Sequence, residues 1–329
     1  MNDAATTPSP HDAMTQLRVR VGQSVVGQER MIERLIIALL ADGHVLIEGL
    51  PGLAKTRAVK SLSQCIESEF SRIQFTPDLL PSDVTGGEIY RDTGSGGTFE
   101  FRPGPVFGNL ILGDEINRAP AKVQSALLEA MEERQVTIAG KRHRLPALFL
   151  VLATQNPIEQ EGTYPLPEAQ MDRFLMHVRV DYPNSDEELA VLRLVRGERA
   201  GSVAEPAPPI AQAEIMAARA EIARIVPADT IDAYIVALIE ATRYPAKYGD
   251  KLGRWIALGA SPRGSLALDS CSRAYAWLAG REYVTPEDVQ AVAPECLRHR
   301  VSLSYDATAE GVTADAVIEE LLRQVAVAV

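Results

Sequence analysis

Little in this chain points to a disulfide framework or a preformed metal site. Three cysteines occur in 329 residues, Cys65, Cys271 and Cys296, an odd and scattered set that argues against a stapled secreted scaffold and fits a reducing compartment. The five histidines, His11, His44, His143, His177 and His299, share no ligand spacing with one another or with cysteine, so any metal is expected to arrive with a ligand. Long apolar runs are also missing. The longest, at 35–41 and 147–153, fall far short of the roughly 18 residues a membrane span needs. The first 14 residues lack a cationic start followed by an apolar stretch, so they do not read as a secretory signal, and a cytoplasmic location is expected.

Apolar residues make up 46% and charged residues 23%, which is ordinary for a folded soluble protein. At about 150 residues per domain the length suggests two domains. The net charge of -11 repels phosphate backbones unless a local basic stripe overrides it, which disfavours nucleic acid as a partner.

After a polar tail, residues 28–42 place Ile32, Leu35, Ile36, Leu39 and Leu40 on one helical face. Strand-length apolar runs follow at 45–47, 110–112, 148–152 and 175–180. Helical or loop segments separate them, the pattern of a parallel sheet with crossovers. Between 76 and 108 the chain breaks into Gly, Pro, Ser and Asp, with one side of a hairpin at 98–102. A second hairpin is read at 135–144, where Lys141, Arg142, His143 and Arg144 form either a solvated turn or a contact site. Past Pro183 the stretches 186–195, 211–225, 229–243, 262–278, 286–298 and 314–325 read as helices. Ser185 with Glu188 forms a plausible capping box, and Thr285 before Pro286 marks another helix start.

Immediately after the run 45–47 stands Gly49-Leu50-Pro51-Gly52-Leu53-Ala54-Lys55-Thr56, and a helical stretch follows it. This is the strand, loop, helix context of a phosphate loop, in which glycines let backbone amides curl toward phosphate oxygens at a helix N-terminus. Lys55 is placed to reach the β and γ phosphates, and the Thr56 hydroxyl to ligate magnesium. Ala54 stands where the strict pattern has glycine, and its methyl is expected to require a negative φ. Pro51 removes one amide donor.

Downstream, the apolar run Leu110-Ile111-Leu112 ends in Gly113-Asp114-Glu115. Adjacent carboxylates at a strand tip are costly unless a cation or a reacting water uses them. Asp114 is expected to hold the metal and Glu115 to polarise the attacking water, given a sheet in which this strand neighbours the phosphate-loop strand.

With these motifs in place, the chain resembles the MoxR family of AAA+ ATPases. Val26-Gly27-Gln28, the Asp114–Pro120 stretch DEINRAP, the Ala153–Pro157 stretch ATQNP, the Pro167–Phe174 stretch PEAQMDRF and Gly259-Ala260-Ser261-Pro262-Arg263 match it in order and spacing. The Ala54 variant also looks like the family's own. The resemblance implies an α/β fold, with a P-loop AAA+ parallel-sheet domain followed by a small all-α lid. Its boundaries are a tail at 1–14, the AAA+ domain at 15–183 with hairpin inserts near 86–102 and 135–144, and the lid at 184–329.

The resemblance further implies a nucleotide site of Val26, Gly27, Gln28, Gly49, Pro51, Gly52, Leu53, Ala54, Lys55 and Thr56 for ATP, with Mg2+ on Thr56 and Asp114. Glu115 is read as the catalytic carboxylate that polarises the attacking water, and the resemblance implies Asn156 as the first sensor, orienting that water together with Glu115. Arg263 resembles the second sensor; an arginine at a helix start also calls for an anionic partner. Arg173 resembles an arginine finger acting on a neighbouring subunit, with Arg118 second; a salt bridge from Arg173 to Asp172 or Glu168 is the plainer alternative. The family's implied activity is ATP hydrolysis in a ring, a hexamer in that family's manner, coupled to remodelling or maturation of a protein client, with a von Willebrand factor A domain partner. A nucleotide-gated scaffold and a nucleic-acid motor are the alternatives.

Overall fold

The apolar runs are short because each crosses one buried layer and then stops where a loop must turn. In the computed structural model, which describes residues 9–92, 97–157, 162–201 and 207–327, nine strands belong to the sheet domain. They are β1 (Val45–Gly49), β2 (Phe70–Gln74), β3 (Gly86–Asp92), β4 (Gly97–Pro103), β5 (Leu110–Asp114), β6 (Gln135–Ile138), β7 (Lys141–Arg144), β8 (Leu150–Gln155) and β9 (Met176–Val180). Five of them form one sheet in the order β2-β5-β8-β1-β9, and all four pairings in it are parallel. Parallel strands need crossovers and are covered on both faces, so β5 and β8 are almost wholly buried.

This order corrects one expectation. The Asp114 strand does not neighbour the phosphate-loop strand, because β8 lies between them and pairs with both. Strand β2 carried no alternating or continuous apolar signal. It sits at the sheet edge with one fully buried position, Ile73, and edge strands need only one covered face.

The segment read as a tail also differs. A helix, Pro10–Ser24, begins inside it, capped by the Ser9 hydroxyl on Asp12 N. It buries Ala13, Met14, Leu17 and Val21 against the helices Glu29–Leu40 and Lys55–Cys65 and the lid helices Gln212–Ile222 and Pro262–Leu278. The apolar positions of this helix fall three to four apart among polar residues, too diluted for the pattern to stand out. Residues 1–8 lie outside the described residues.

The C-terminal part is helical: Ser185–Arg199, Gln212–Ile222, Asp229–Arg243, Asp250–Trp255, Pro262–Leu278, Pro286–Leu297, Tyr305–Ala309 and Ala314–Gln324. A small antiparallel pair, Ile256–Leu258 with Ser302–Leu303, interrupts it. The first of these helices is capped one residue earlier than expected. Asn184 Oδ1 accepts from Asp186 N and Glu187 N at 3.0 Å each, and Glu187 Oε2 accepts from Asn184 N at 2.7 Å, a reciprocal pair that the longer Asn side chain reaches.

The inserts form two hairpins, β3–β4 and β6–β7. Phe101 of β4 stacks on His143 of β7 with ring centroids 3.8 Å apart, so the two hairpins abut. Among the described residues no helix is long and apolar enough to cross a membrane.

Candidate nucleotide site

Strand β1 ends at Gly49, and the chain curls through Pro51 and Gly52 into the helix Lys55–Cys65. Glycine is required at 49 by its neighbour: a Cβ there would lie 2.8 Å from Val180 O of β9. Gly52 has φ +85°, with open space where a Cβ would point, so the loop can bring its backbone close to a ligand. Ala54 corrects the expectation of a negative φ. It adopts φ 58°, ψ 15° as the helix N-cap, a left-handed conformation an alanine reaches at about 1–2 kcal/mol.

The loop opens on a cavity of about 390 Å³ lined by Pro51 to Arg57, Arg72, Gln74, Asp114, Glu115, Thr154 and Asn156. Every strand that contributes does so at its carboxyl end, where ligands of open α/β sheets bind. Lys55 Nζ donates to Gly49 O and, at 3.2 Å, to Gln155 O, which folds the ammonium over the loop. Thr56 Oγ1 lies 3.5 Å from Asp114 Oδ2, so hydroxyl and carboxylate face one point from opposite walls. Thr154 Oγ1 donates to Asp114 Oδ1 at 2.7 Å and accepts from Glu115 N at 3.0 Å.

Glu115 follows with φ 58°, ψ 53°. A left-handed non-glycine residue is uncommon, and here the turn swings the Glu115 side chain away from the strand axis and into the cavity wall. Asp114 and Glu115 thus share a cavity while pointing to different neighbours.

Four cavity residues escaped the sequence reading as site residues: Arg57, Thr154, Arg72 and Gln74. Arg72 donates to Asp114 Oδ2 at 2.7 Å from Nη2 and 3.2 Å from Nε, and Gln74 Nε2 donates to Glu115 Oε2 at 3.1 Å. Arg72 Nη2 also donates to Gln74 Oε1 at 3.1 Å. Arg72 and Gln74 lie two apart on β2, hence on one face of a strand, and a lone polar pair in an unrecognised edge strand leaves no local signal. Arg118 lies outside that lining and ion-pairs with Glu115 of it at 3.2 Å.

The donor set fits a triphosphate with a divalent ion. A lysine and loop amides meet anionic oxygens, while one hydroxyl and one carboxylate supply hard oxygen ligands, as magnesium prefers when phosphate completes its shell. Among the described residues there is no cluster of three or more His, Cys, Asp or Glu able to hold a metal unaided.

Val26, Gly27 and Gln28 lie outside this lining. Gln28 Nε2 donates to Asp181 O at 3.2 Å, beside the start of the lid. Arg57, a lining residue, donates to Ser24 O at 2.6 Å, so the 24–28 turn flanks the mouth of the cavity.

Arg173 and Arg263 lie elsewhere. They line a second cleft of about 300 Å³ with His44, Arg134 and Arg300. Arg173 precedes β9 and His44 precedes β1, at the amino ends of strands paired Val45 to Met176. The phosphate loop starts at the other end of β1, five residues away, or about 16 Å at the rise of a strand. Neither expected partner of Arg173 is used. Its Nη1 bonds Glu132 Oε2 at 3.0 Å and Leu128 O at 3.0 Å. Arg263 has the anionic partner its helix-start position calls for: its Nη2 bonds Glu132 again, and its Nη1 lies 3.8 Å from Asp172 Oδ2.

This second cleft holds a buried imidazole. His44 Nδ1 accepts from Val151 N at 3.0 Å, and Nε2 faces Met131 O at 3.2 Å. Burial, followed by the positive charge of Arg134, lowers its pKa to about 3, so it stays neutral at physiological pH.

The five-stranded parallel sheet, its phosphate loop and the helical lid define a nucleotide-binding ATPase fold of the AAA type. A family model described as the ATPase family associated with various cellular activities (AAA) matches residues 44–176, and one described as an AAA lid domain matches residues 254–321. The chain belongs to the MoxR family of AAA+ ATPases. It is 47% identical to Chaperone MoxR1 of Mycobacterium tuberculosis over 93% of this chain and 80% of that one. It is 35% identical to Protein MoxR of Methylorubrum extorquens over 89% of this chain and 88% of that protein. A crystal structure of a candidate ATPase from Cytophaga hutchinsonii superposes with a TM-score of 0.88 at 45% identity, covering 97% of this chain and 96% of that one.

Proposed function

We propose that this chain binds and hydrolyses ATP with Mg2+ in a ring oligomer, of six subunits by family analogy, and uses the cycle to remodel or mature a protein client in the cytoplasm. The observation that carries this reading is the convergence of Lys55, Thr56, Asp114 and Glu115 on one cavity at the carboxyl ends of β1 and β5. Lys55 would neutralise phosphate oxygens, while the loop amides and the start of the Lys55–Cys65 helix orient them. Thr56 and Asp114 would hold the metal, whose charge offsets that developing on the phosphates. Glu115, turned into the cavity by its left-handed backbone, would accept the proton of the attacking water, and Asn156 would help orient that water without adding charge.

The position of the arginines supports assembly. Arg173 before β9 and Arg263 at the start of a lid helix line the cleft by the amino ends of the strands rather than the phosphate-loop cavity of their own subunit, so we assign both to the nucleotide of an adjacent subunit. An arginine supplied in trans is worth about 10³ to 10⁵ in rate in related phosphoryl transfer. The printed name of the mycobacterial relative, a chaperone, supports a protein client, and a von Willebrand factor A domain partner follows from the family resemblance. The abutting hairpins, with exposed Tyr90 and Phe99 and the basic β7, are the surface we assign to that client.

The test is ATP turnover across protein concentration, beside capture of bound proteins by Glu115→Gln in ATP. Turnover that is zero at every concentration with Mg2+ present overturns the hydrolytic reading. A Glu115→Gln form that matures its client fully would make the protein a nucleotide-gated scaffold instead. Salt-dependent retention of single-stranded DNA, rather than protein, would favour a nucleic-acid motor.

A further inference from the structure

The carboxylate of Glu132 joins two domains. It accepts from Arg173 Nη1 of the sheet domain at 3.0 Å and from Arg263 Nη2 of the lid. We propose that Glu132 is a positioning residue that yokes Arg173 to Arg263, presenting the two guanidinium groups as one receptor for the terminal phosphate of a neighbouring subunit's nucleotide. The proposal rests on the assignment of those arginines to the adjacent site.

Local physics does not account for an acid at this place. Glu132 and Glu133 close the helix Ala121–Glu133, and a carboxylate at a helix C-terminus faces the negative end of the helix dipole. Arg263 has the mirror problem, a cation at the start of the helix Pro262–Leu278. Each charge sits where its own helix disfavours it. Arg173 offsets the Glu132 carboxylate within the sheet domain, whereas Arg263 meets its anionic partners only when the lid is seated on that domain.

The surrounding bonds restrict the pair further. Arg173 Nη1 also donates to Leu128 O, one turn before Glu132. The Arg263 backbone is held by the Ser261 cap, whose hydroxyl donates to Asp172 Oδ2 at 2.7 Å. Arg300, with a side chain only 2% exposed, is engaged by the other oxygen of Asp172 at 2.8 Å. Asp172 therefore fixes the lid helix start and lies 3.8 Å from Arg263 Nη1, while Glu132 alone bonds both guanidinium groups, Arg173 and Arg263. Both arginines and Glu132 remain partly open to the cleft, at 30%, 41% and 36% exposure. Without the carboxylate, two like charges from separate domains would repel, and the lid arginine would lose its register with the core arginine. With it, an arriving phosphate meets donors already side by side, which lowers the ordering cost of binding in the transition state.

The experiment measures kcat and KM for ATP at a protein concentration where the full chain is assembled. Arg173→Ala, Arg263→Ala, Glu132→Ala, Glu132→Gln, Glu132→Asp and the double variant Glu132→Ala/Arg173→Ala are compared. Glu132→Ala is expected to lower kcat by about 10- to 100-fold with KM changed less than about threefold, the signature of an interaction made in the transition state. Glu132→Asp, which keeps the charge, should recover more than Glu132→Gln, which keeps the shape. The double variant should be no slower than Arg173→Ala alone, because residues acting as one unit are non-additive. If Arg173→Ala and Arg263→Ala leave kcat untouched, the trans-acting assignment itself fails. If they abolish turnover while Glu132→Ala keeps the parent kcat, or if its loss adds fully to that of Arg173→Ala, the yoke is overturned and the assignment stands. Should the alanine form not fold by circular dichroism, the isosteric glutamine form decides by the same criteria.

Discussion

Thr154 donates its hydroxyl to Asp114 Oδ1 at 2.7 Å and accepts the backbone N–H of Glu115 at 3.0 Å. One buried hydroxyl on the strand between the two halves of the site thus orients the metal-binding acid and fixes the start of the turn that carries the other acid. Thr154→Val is isosteric but leaves a carboxylate oxygen and an amide without this partner, at about 2 kcal/mol. Urea unfolding should show that loss, with Thr154→Ser close to the parent; equal midpoints for the valine and parent proteins would contradict it.

Lys55 folds over the loop against Gly49 O and Gln155 O. Removing this cation should weaken ATP binding by roughly tenfold to a hundredfold. Isothermal calorimetry of Lys55→Ala with and without Mg2+ measures it. Asp114→Asn should instead abolish the difference between the two metal conditions.

Arg173 lies at the end of the sheet opposite its own phosphate loop. Arg173→Ala should therefore cost about 10³-fold or more in turnover once subunits associate. Mixed with Glu115→Gln subunits, which are inactive themselves but keep Arg173, the Arg173→Ala subunits should regain turnover, because their own phosphate loop and Glu115 are intact. A mixture no more active than its two components would place the arginine's action within its own subunit.

Ala54 caps a helix in a left-handed conformation, φ 58°. Ala54→Gly should remove the steric penalty while adding unfolded-chain entropy, for a net gain of up to about 1 kcal/mol. Thermal melting should show a small rise with nucleotide affinity retained. A clear fall would mean that the methyl packs more tightly than its conformation costs.

His44 is buried and neutral, its pKa lowered to about 3 by burial and by Arg134. His299, also buried, is pushed well below its ordinary value, by burial first and then by Arg300. In the unfolded chain both imidazoles take up a proton near pH 6.5, whereas the folded His44 takes one only near 3. Between those limits the unfolded state binds more protons, so stability rises with pH and is lost as pH falls, by on the order of 1 kcal/mol per unit for one such group. Chemical denaturation at pH 7 and pH 5 should show the parent losing stability on acidification, and His44→Asn should flatten that slope. An unchanged slope would mean that the imidazole is already protonated in the fold.

Legibility followed the range of the interactions. The phosphate loop was readable because its conformation is set by its own glycines, its lysine and the adjoining strand and helix. The acids Asp114 and Glu115 were readable because two carboxylates ending an apolar strand are a local anomaly. The parallel sheet and helical lid were readable from alternating strand-length and helix-length patterns. By contrast, Arg72 and Gln74 gain meaning only from β2 lying beside β5, a pairing between segments some forty residues apart. Glu132 looks like any solvated helical glutamate until the lid places Arg263 against it.

The order of residues alone determined the repertoire: which segments are strands or helices, where backbone amides can cradle phosphate, and which side chains carry charge. These follow from backbone sterics and the solvation of each side chain. Tertiary structure decided the geometry. It set β8 between the loop strand and the acid strand, and it put two arginines at the far end of the sheet, sharing one carboxylate. Strand order depends on which buried surfaces and ladder hydrogen bonds are satisfied together, and no single segment contains that information.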